Sequence, residues 1–277
     1  MQARILILGA GQDGGSPQLG NRAGVGPVRR ASSVAVVSKL GSVVLLDASP
    51  DIRAQGQTLL EWSDYPGDRE TLLDAVAITH GHMGHYAGLL HLGKESANTA
   101  GLRLIATPSF HSFVASNEPW NSLVTNGNVL PVPLTGQVTI DESLTIVGIP
   151  VPHRAEHTDT VGLSIISDGV PQFFYLPDID GWEHWPDADS VLSAHKASLI
   201  DATFSSLDEL PNRDMHEIRH PLVRDTVERF SHLTAASRII LGHINHTNHL
   251  ADATSEVARN AKLAGFDIAF DGLSIVL

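Results

Sequence analysis

The chain has 277 residues, 42% of them hydrophobic, with 18 Lys and Arg against 31 Asp and Glu for a formal charge of −13, and no cysteine. That balance belongs to a globular protein and excludes a disordered or fibrous one, while the missing cysteines exclude a disulfide framework and every thiolate metal site. No basic run is present to bind phosphate backbone, so nucleic acid is excluded as a partner. A small anionic substrate stays compatible, because a metal reverses the sign of the field inside one pocket.

The opening residues Met1-Gln2-Ala3-Arg4-Ile5-Leu6-Ile7-Leu8 run straight into a strand pattern with no signal peptide, and no apolar run approaches the roughly 18 to 20 residues of a membrane span. No membrane association and a cytoplasmic location are expected. Short apolar runs at 5–8, 34–38, 43–47, 75–79 and 102–107 predict strands, and further strands are predicted at 144–150, 161–167, 172–176, 198–201, 238–242 and 267–270. Helices are predicted at 51–62, 82–92, 109–116, 187–195, 216–230 and 255–264. So many strands point to a two-sheet core with helices outside, in one domain over 1–277. The Gly- and Pro-rich stretch 11–27 reads as a surface loop.

Gly9-Ala10-Gly11-Gln12-Asp13-Gly14 follows a strand and matches the dinucleotide-binding pattern G-x-G-x-x-G. That chemistry needs a helix to start at the glycines, and Gly15-Ser16-Pro17-Gln18-Leu19-Gly20-Asn21 is a poor helix former. The ribose-binding acid about 20 residues on is also missing, since residues 29–35 contain no carboxylate. A glycine-rich turn is the better reading.

Histidine placement carries the chemistry. Of 15 histidines, 8 fall in Thr79-His80-Gly81-His82-Met83-Gly84-His85, Pro152-His153-Arg154-Ala155-Glu156-His157, and Gly242-His243-Ile244-Asn245-His246-Thr247-Asn248-His249. Each segment follows a predicted strand, where loops present catalytic groups, and neutral imidazole is a common ligand for zinc and its neighbours. His80 and His82 sit two apart on an extended turn, whereas His85 approaches from the first helical turn, a spacing that suits two adjacent metals.

Thr79-His80-x-His82-x-x-His85 resembles the H-x-H-x-D-H signature of the metallo-β-lactamase superfamily, with Asp47, His153, Asp178 and His243 following predicted strands in the superfamily's order. The resemblance implies an α/β fold, a four-layer αββα sandwich. It also implies that His80, His82 and His153 hold one metal, that His85 and His243 hold a second, and that Asp178 bridges them, with Asp47 behind the ligands or stabilising its own turn. A narrower resemblance, to the coenzyme PQQ synthesis protein B family, rests on Gly14-Gly15-Ser16-Pro17-Gln18, Asp47-Ala48-Ser49-Pro50-Asp51-Ile52-Arg53, His243-Ile244-Asn245-His246-Thr247-Asn248 and Phe270-Asp271-Gly272-Leu273-Ser274-Ile275. One position departs: Gly84 stands where the superfamily motif has Asp. The second site is therefore expected to be weak, empty or completed by His246 or His249, and Gly84→Asp is expected to strengthen it. His157, His220, His246 and His249 are further candidates for proton transfer or substrate contact.

These residues predict a metal-dependent hydrolase in which a metal-bound hydroxide attacks a small-molecule ester, amide, phosphodiester or activated ether, with Asp178 in the catalytic set. One or two zinc ions are expected, with iron or manganese as alternatives, and an oligomer is compatible. Two other readings stand beside it: a metal-dependent oxidation of the PQQ-biosynthesis type, and a non-catalytic metal-binding protein.

Overall fold

A strand buried on both faces is apolar at every position, because successive side chains point to opposite sides of the sheet. The first strand, β1 (Arg4–Gly9), shows this: Ile5 and Ile7 enter one core and Leu6 and Leu8 another. The computed structural model describes residues 2–67, 69–210 and 218–277. After β1 the chain runs through β2 (Ser33–Val37), β3 (Val43–Leu46), α1 (Ile52–Glu61), β4 (Ala75–Ala77), α2 (Met83–Tyr86), β5 (Leu102–Ala106), α3 (Pro108–Ser116), α4 (Trp120–Thr125) and β6 (Val129–Pro133). It continues with β7 (Gln137–Asp141), β8 (Leu144–Pro150), β9 (Val161–Ser167), β10 (Val170–Leu176), α5 (Ala188–Ala194), β11 (Ala197–Asp201), α6 (Val223–Phe230), β12 (Arg238–Gly242), α7 (Glu256–Leu263), β13 (Asp267–Ile268) and β14 (Ser274–Val276).

Two seven-stranded sheets result, ordered β14-β1-β2-β3-β4-β5-β6 and β13-β12-β11-β10-β9-β8-β7. Their facing sides share one core, in which Ile7, Val36 and Leu46 meet Ile146, Phe173 and Leu199. The outer face of the first sheet packs Leu45, Val76 and Leu104 against Leu59 of α1 and Phe110 of α3. Phe174, Ile200 and Leu241 of the second sheet pack against Leu192 of α5 and Phe230 of α6. The layers are therefore αββα, as the resemblance implied. No helix among the described residues is long and apolar enough to cross a membrane.

Some expectations need correction. The 82–92 helix is only the single turn of α2 followed by a 3₁₀ turn over Ala87–Leu92, since Gly88 passes so close to Ser49 that a Cβ would lie 2.1 Å from its carbonyl oxygen. The 216–230 helix starts at Val223, because Pro221 biases the chain before it out of helical geometry and Leu222 bridges to Phe204; residues 216 and 217 lie outside the described residues. The 11–27 loop does not simply lie on the surface. Gly11 bridges both Ala31 and Ile244, Ser16 bridges Arg29, and Ser16 and Arg29 are buried. Asp271, between β13 and β14, closes this loop at both ends by accepting from Ala10 N at 3.0 Å and Arg30 N at 2.9 Å.

Candidate metal centre

The ends of β3, β4, β8, β10, β11 and β12 deliver Asp47, His80 with His82, His153, Asp178, Asp201 and His243 to one rim of the sandwich. Asp47 (φ 59°) and His243 (φ 55°) both hold a left-handed backbone, uncommon for residues with a Cβ and tolerated where surroundings over-determine it. Each leaves its strand at this turn with its side chain aimed into the cluster.

Three imidazoles meet there. His80 Nε2 lies 2.9 Å and His153 Nε2 lies 3.1 Å from His82 Nδ1, and Asp178 Oδ2 is 3.3 Å from His80 Nε2. The opposite ring nitrogens face other groups: His80 Nδ1 faces Thr79 Oγ1 at 3.0 Å, His82 Nε2 faces Glu156 at 2.8 Å, and His153 Nδ1 faces Asp180 at 3.0 Å. An imidazole bound on its outer nitrogen presents the inner one as a lone pair of fixed direction, the usual support of a metal-ligating histidine. Three lone pairs brought this close repel one another unless a cation lies among them.

A second group shares Asp178. One ligand atom from each of Asp13, His85, Asp178 and His243 fits within 4.8 Å of the others, as one from each of His80, His82, His153 and Asp178 does. His85 Nδ1 is bonded to Asp47 at 2.7 Å and His243 Nδ1 to Thr203 Oγ1 at 2.9 Å. Their Nε2 atoms and Asp13 Oδ1 are sealed from solvent and make no well-aligned hydrogen bond among the described residues, His85 Nε2 standing 2.8 Å from Asp178 Oδ2 and 3.3 Å from Asp13 Oδ1. Buried polar atoms left this way cost free energy unless something completes them, so the donor set fits a metal in both groups.

Sequence reasoning missed Asp13. It stands in the sequence inside the glycine pattern, and nothing local marks it as a ligand. Its position also overturns the expectation for Gly84→Asp: a Cβ on Gly84 would lie 2.1 Å from Asp13 Oδ1 and 2.5 Å from Asp13 Cα. The space in front of Gly84 is taken.

His220 joins the cluster from the loop before α6. Its Nδ1 is 2.7 Å from Asp201 Oδ2, 3.2 Å from Thr203 Oγ1 and 3.5 Å from Asp178 Oδ1. His157, His246 and His249 join none of the metal-ligating groups among the described residues. His157 is exposed with its ring 5.7 Å from that of Phe113, His249 is exposed, and His246 is half-buried on the loop beside Val25. Neither His246 nor His249 completes the second group.

Charge follows geometry. Burial pushes the His80 imidazolium well down, with His85 adding to it, and burial lowers His82 as well, so both rings are held neutral as ligands require. Burial opposes charge on Asp178 and Asp13, but the surrounding imidazoles outweigh it and hold both carboxyls well below their usual range. On His85, burial is outweighed by Asp47, Asp13 and Asp178, which raise its pKa well above the ordinary value. The pocket thus calls for positive charge beside His85 Nε2, supplied by a proton or by a cation in its place.

The family model for the beta-lactamase superfamily domain matches residues 43–244. The chain belongs to the β-lactamase superfamily. Within this superfamily it is similar to coenzyme PQQ synthesis protein B of Ruegeria pomeroyi, 30% identical with 99% of this chain and 100% of the relative covered. The protein of that name from Methylococcus capsulatus is 26% identical over 99% of both chains. In fold the chain is similar to zinc-bound PqqB from Methylobacterium extorquens, with TM-score 0.81 and 23% identity over 99% of this chain and 100% of that one. It is also similar to a diphosphatase of the PhnP family, with TM-score 0.70 and 22% identity over 100% and 98%. That superfamily membership agrees with the ordered His and Asp motifs of the sequence, and the Gly84 departure is a variation within it.

Proposed function

We propose that the protein is a metal-dependent hydrolase of a small anionic molecule, with zinc as the resident metal. The observation that carries this reading is the convergence of two His-rich groups on the one buried carboxylate of Asp178. A divalent metal held by such residues supplies Lewis-acid polarisation and lowers the pKa of a bound water.

The chain's own residues supply the rest. His220 lines both the cluster and a neighbouring cleft of about 750 Å³, which also meets Asp180, Trp182, Arg219 and Arg229. Burial lowers the pKa of His220, but Asp201 at 2.7 Å more than offsets this and raises it to about 9. The surrounding carboxylates thus favour the protonated form of His220, and with Nε2 free of any hydrogen-bond partner among the described residues it is the group proposed to hand a proton to the departing group. Arg219, exposed at the cleft and only 3.9 Å from Asp180, draws in the negative end of the substrate. Asp180 and Glu156 keep His153 and His82 oriented, a role that leaves them outside the bond-breaking.

The test loads chelator-stripped protein with zinc, manganese or iron(II) and offers bis(p-nitrophenyl) phosphate and p-nitrophenyl acetate. Metal-dependent release of p-nitrophenol that His82→Ala abolishes is expected; no turnover of either compound with any metal would sink the hydrolase reading. The full-length similarity to coenzyme PQQ synthesis protein B favours a second reading, an iron-dependent oxidation. Dioxygen uptake by the iron(II) form would support it.

A further inference from the structure

Asp13 takes no part in the steps above, yet its carboxylate lies on the rim of the second group. Its Oδ1 is 3.3 Å from His85 Nε2 and 3.9 Å from His243 Nε2. His85 and His243 are fully buried, and these two nitrogens and the Asp13 oxygen make no well-aligned hydrogen bond among the described residues, with His85 Nε2 standing 2.8 Å from Asp178 Oδ2. Three unsatisfied ligand-type atoms from three separate segments, facing one point beside Asp178, make a built site.

The loop that brings Asp13 there is clamped. Gly11 bridges Ala31 on one side and Ile244 on the other, Gln12 N donates to Ile244 O at 3.1 Å, and the Gln12 side chain accepts from Asn245. Gly15 turns the chain at φ 65°, where a Cβ would stand 2.7 Å from Arg29 O, so the turn admits only glycine. Opposite, Gly84 has no side chain, and the atom that a side chain would place first falls 2.1 Å from Asp13 Oδ1. The space between the two residues holds one carboxylate, and Asp13 fills it.

We infer that Asp13 supplies, from the glycine-rich loop, the carboxylate ligand that the H-x-H-x-D-H motif carries at the position of Gly84, so that Asp13, His85, Asp178 and His243 form a complete second metal site. The inference rests on the metal-centre reading. It makes residues 13 and 84 a complementary pair, with the ligand on Asp13 and the room for it left by Gly84.

The test is zinc stoichiometry and affinity, by elemental analysis and competitive titration of chelator-stripped protein, with folding followed by circular dichroism. Wild type is expected to bind two zinc ions. Asp13→Ala is expected to keep one and to weaken the other by about tenfold or more. Gly84→Asp alone gains no zinc and melts at lower temperature, because its side chain collides with Asp13. Asp13→Asn, which keeps the shape and removes the charge, is likewise expected to weaken the second ion while folding as wild type does. Two ions bound with unchanged affinity in Asp13→Ala would overturn the inference. If Asp13→Ala is unfolded, Asp13→Asn decides, and two ions bound with wild-type affinity in that variant overturn the inference. Wild type that binds no zinc overturns the metal reading itself, whereas one ion in wild type and one in Asp13→Ala overturns the role of Asp13 alone.

Discussion

Asp47 Oδ2 lies 2.7 Å from His85 Nδ1, on the side of the ring that faces away from the cluster. The same carboxylate accepts from Thr79 N at 2.8 Å and from Thr79 Oγ1 at 3.0 Å, so it ties the end of β3 to the turn that carries His80. Asp47 is thereby a positioning residue. Asp47→Asn keeps the shape and removes the charge, and it is expected to weaken metal binding by about 10- to 100-fold. Competitive titration with a chromophoric chelator reads this directly. Unchanged affinity would mean that His85 is oriented without Asp47.

Metal removal should show in stability, because the inward nitrogens of the two groups are buried and incompletely satisfied. A ligand present at 100 times its Kd adds about 2.7 kcal/mol to the folded state, or roughly 5–10 °C in Tm for a chain of this size. Thermal unfolding with and without chelator measures it. Equal Tm in both would show that nothing binds the native cluster.

His220→Asn should leave the ions of the two groups that share Asp178 in place, since His220 belongs to neither of them and pairs with Asp201. Loss of a positioned proton donor costs about 10²-fold or more in kcat. The loss should grow as the leaving group becomes a stronger base, which a series of substituted phenyl esters resolves. A loss that is the same across the series would assign His220 a structural role only.

Gly162 on β9 sits beneath the ring of Phe174, where a Cβ would approach Phe174 Cζ to 2.3 Å. Gly162→Ala overpacks the contact between β9 and β10 and is expected to cost about 1–3 kcal/mol of stability. Urea unfolding reads the change, and a midpoint equal to wild type would show that the strands separate without strain.

Much of this architecture was legible in the residues, and the misses have physical reasons. Strands buried on two faces, such as β9 and β12, announce themselves as largely apolar runs, and their predicted bounds coincide with those observed, as do those of the half-buried β8. The strands β6, β7 and β14 passed unread because each lies at a sheet edge. There β6 carries Pro131 and Pro133, which a central strand could not hold, and β7 is half exposed. The histidine segments and Asp178 were visible because imidazoles crowd together only for a reason. Asp13 was not, because its partners His85 and His243 lie far along the chain and a lone Asp between glycines looks like any turn. Asp180, Glu156 and Asp201 were likewise invisible, since they act through another side chain's unused nitrogen.

The clamp that Asp271 places on the glycine-rich loop joins positions 261 residues apart in the chain. A ribosome adding 5–20 residues per second needs roughly 15–50 s to travel that distance. Throughout that interval the loop bearing Asp13 has emerged, while the acceptor that fastens Ala10 and Arg30, and the strand that flanks β1, have not been made. The nascent chain thus has the histidines of its first half available to passing metal ions before the geometry that discriminates among those ions exists. Selection of the correct ion falls to the finished molecule, and metal supplied during synthesis should be exchanged for metal chosen afterwards.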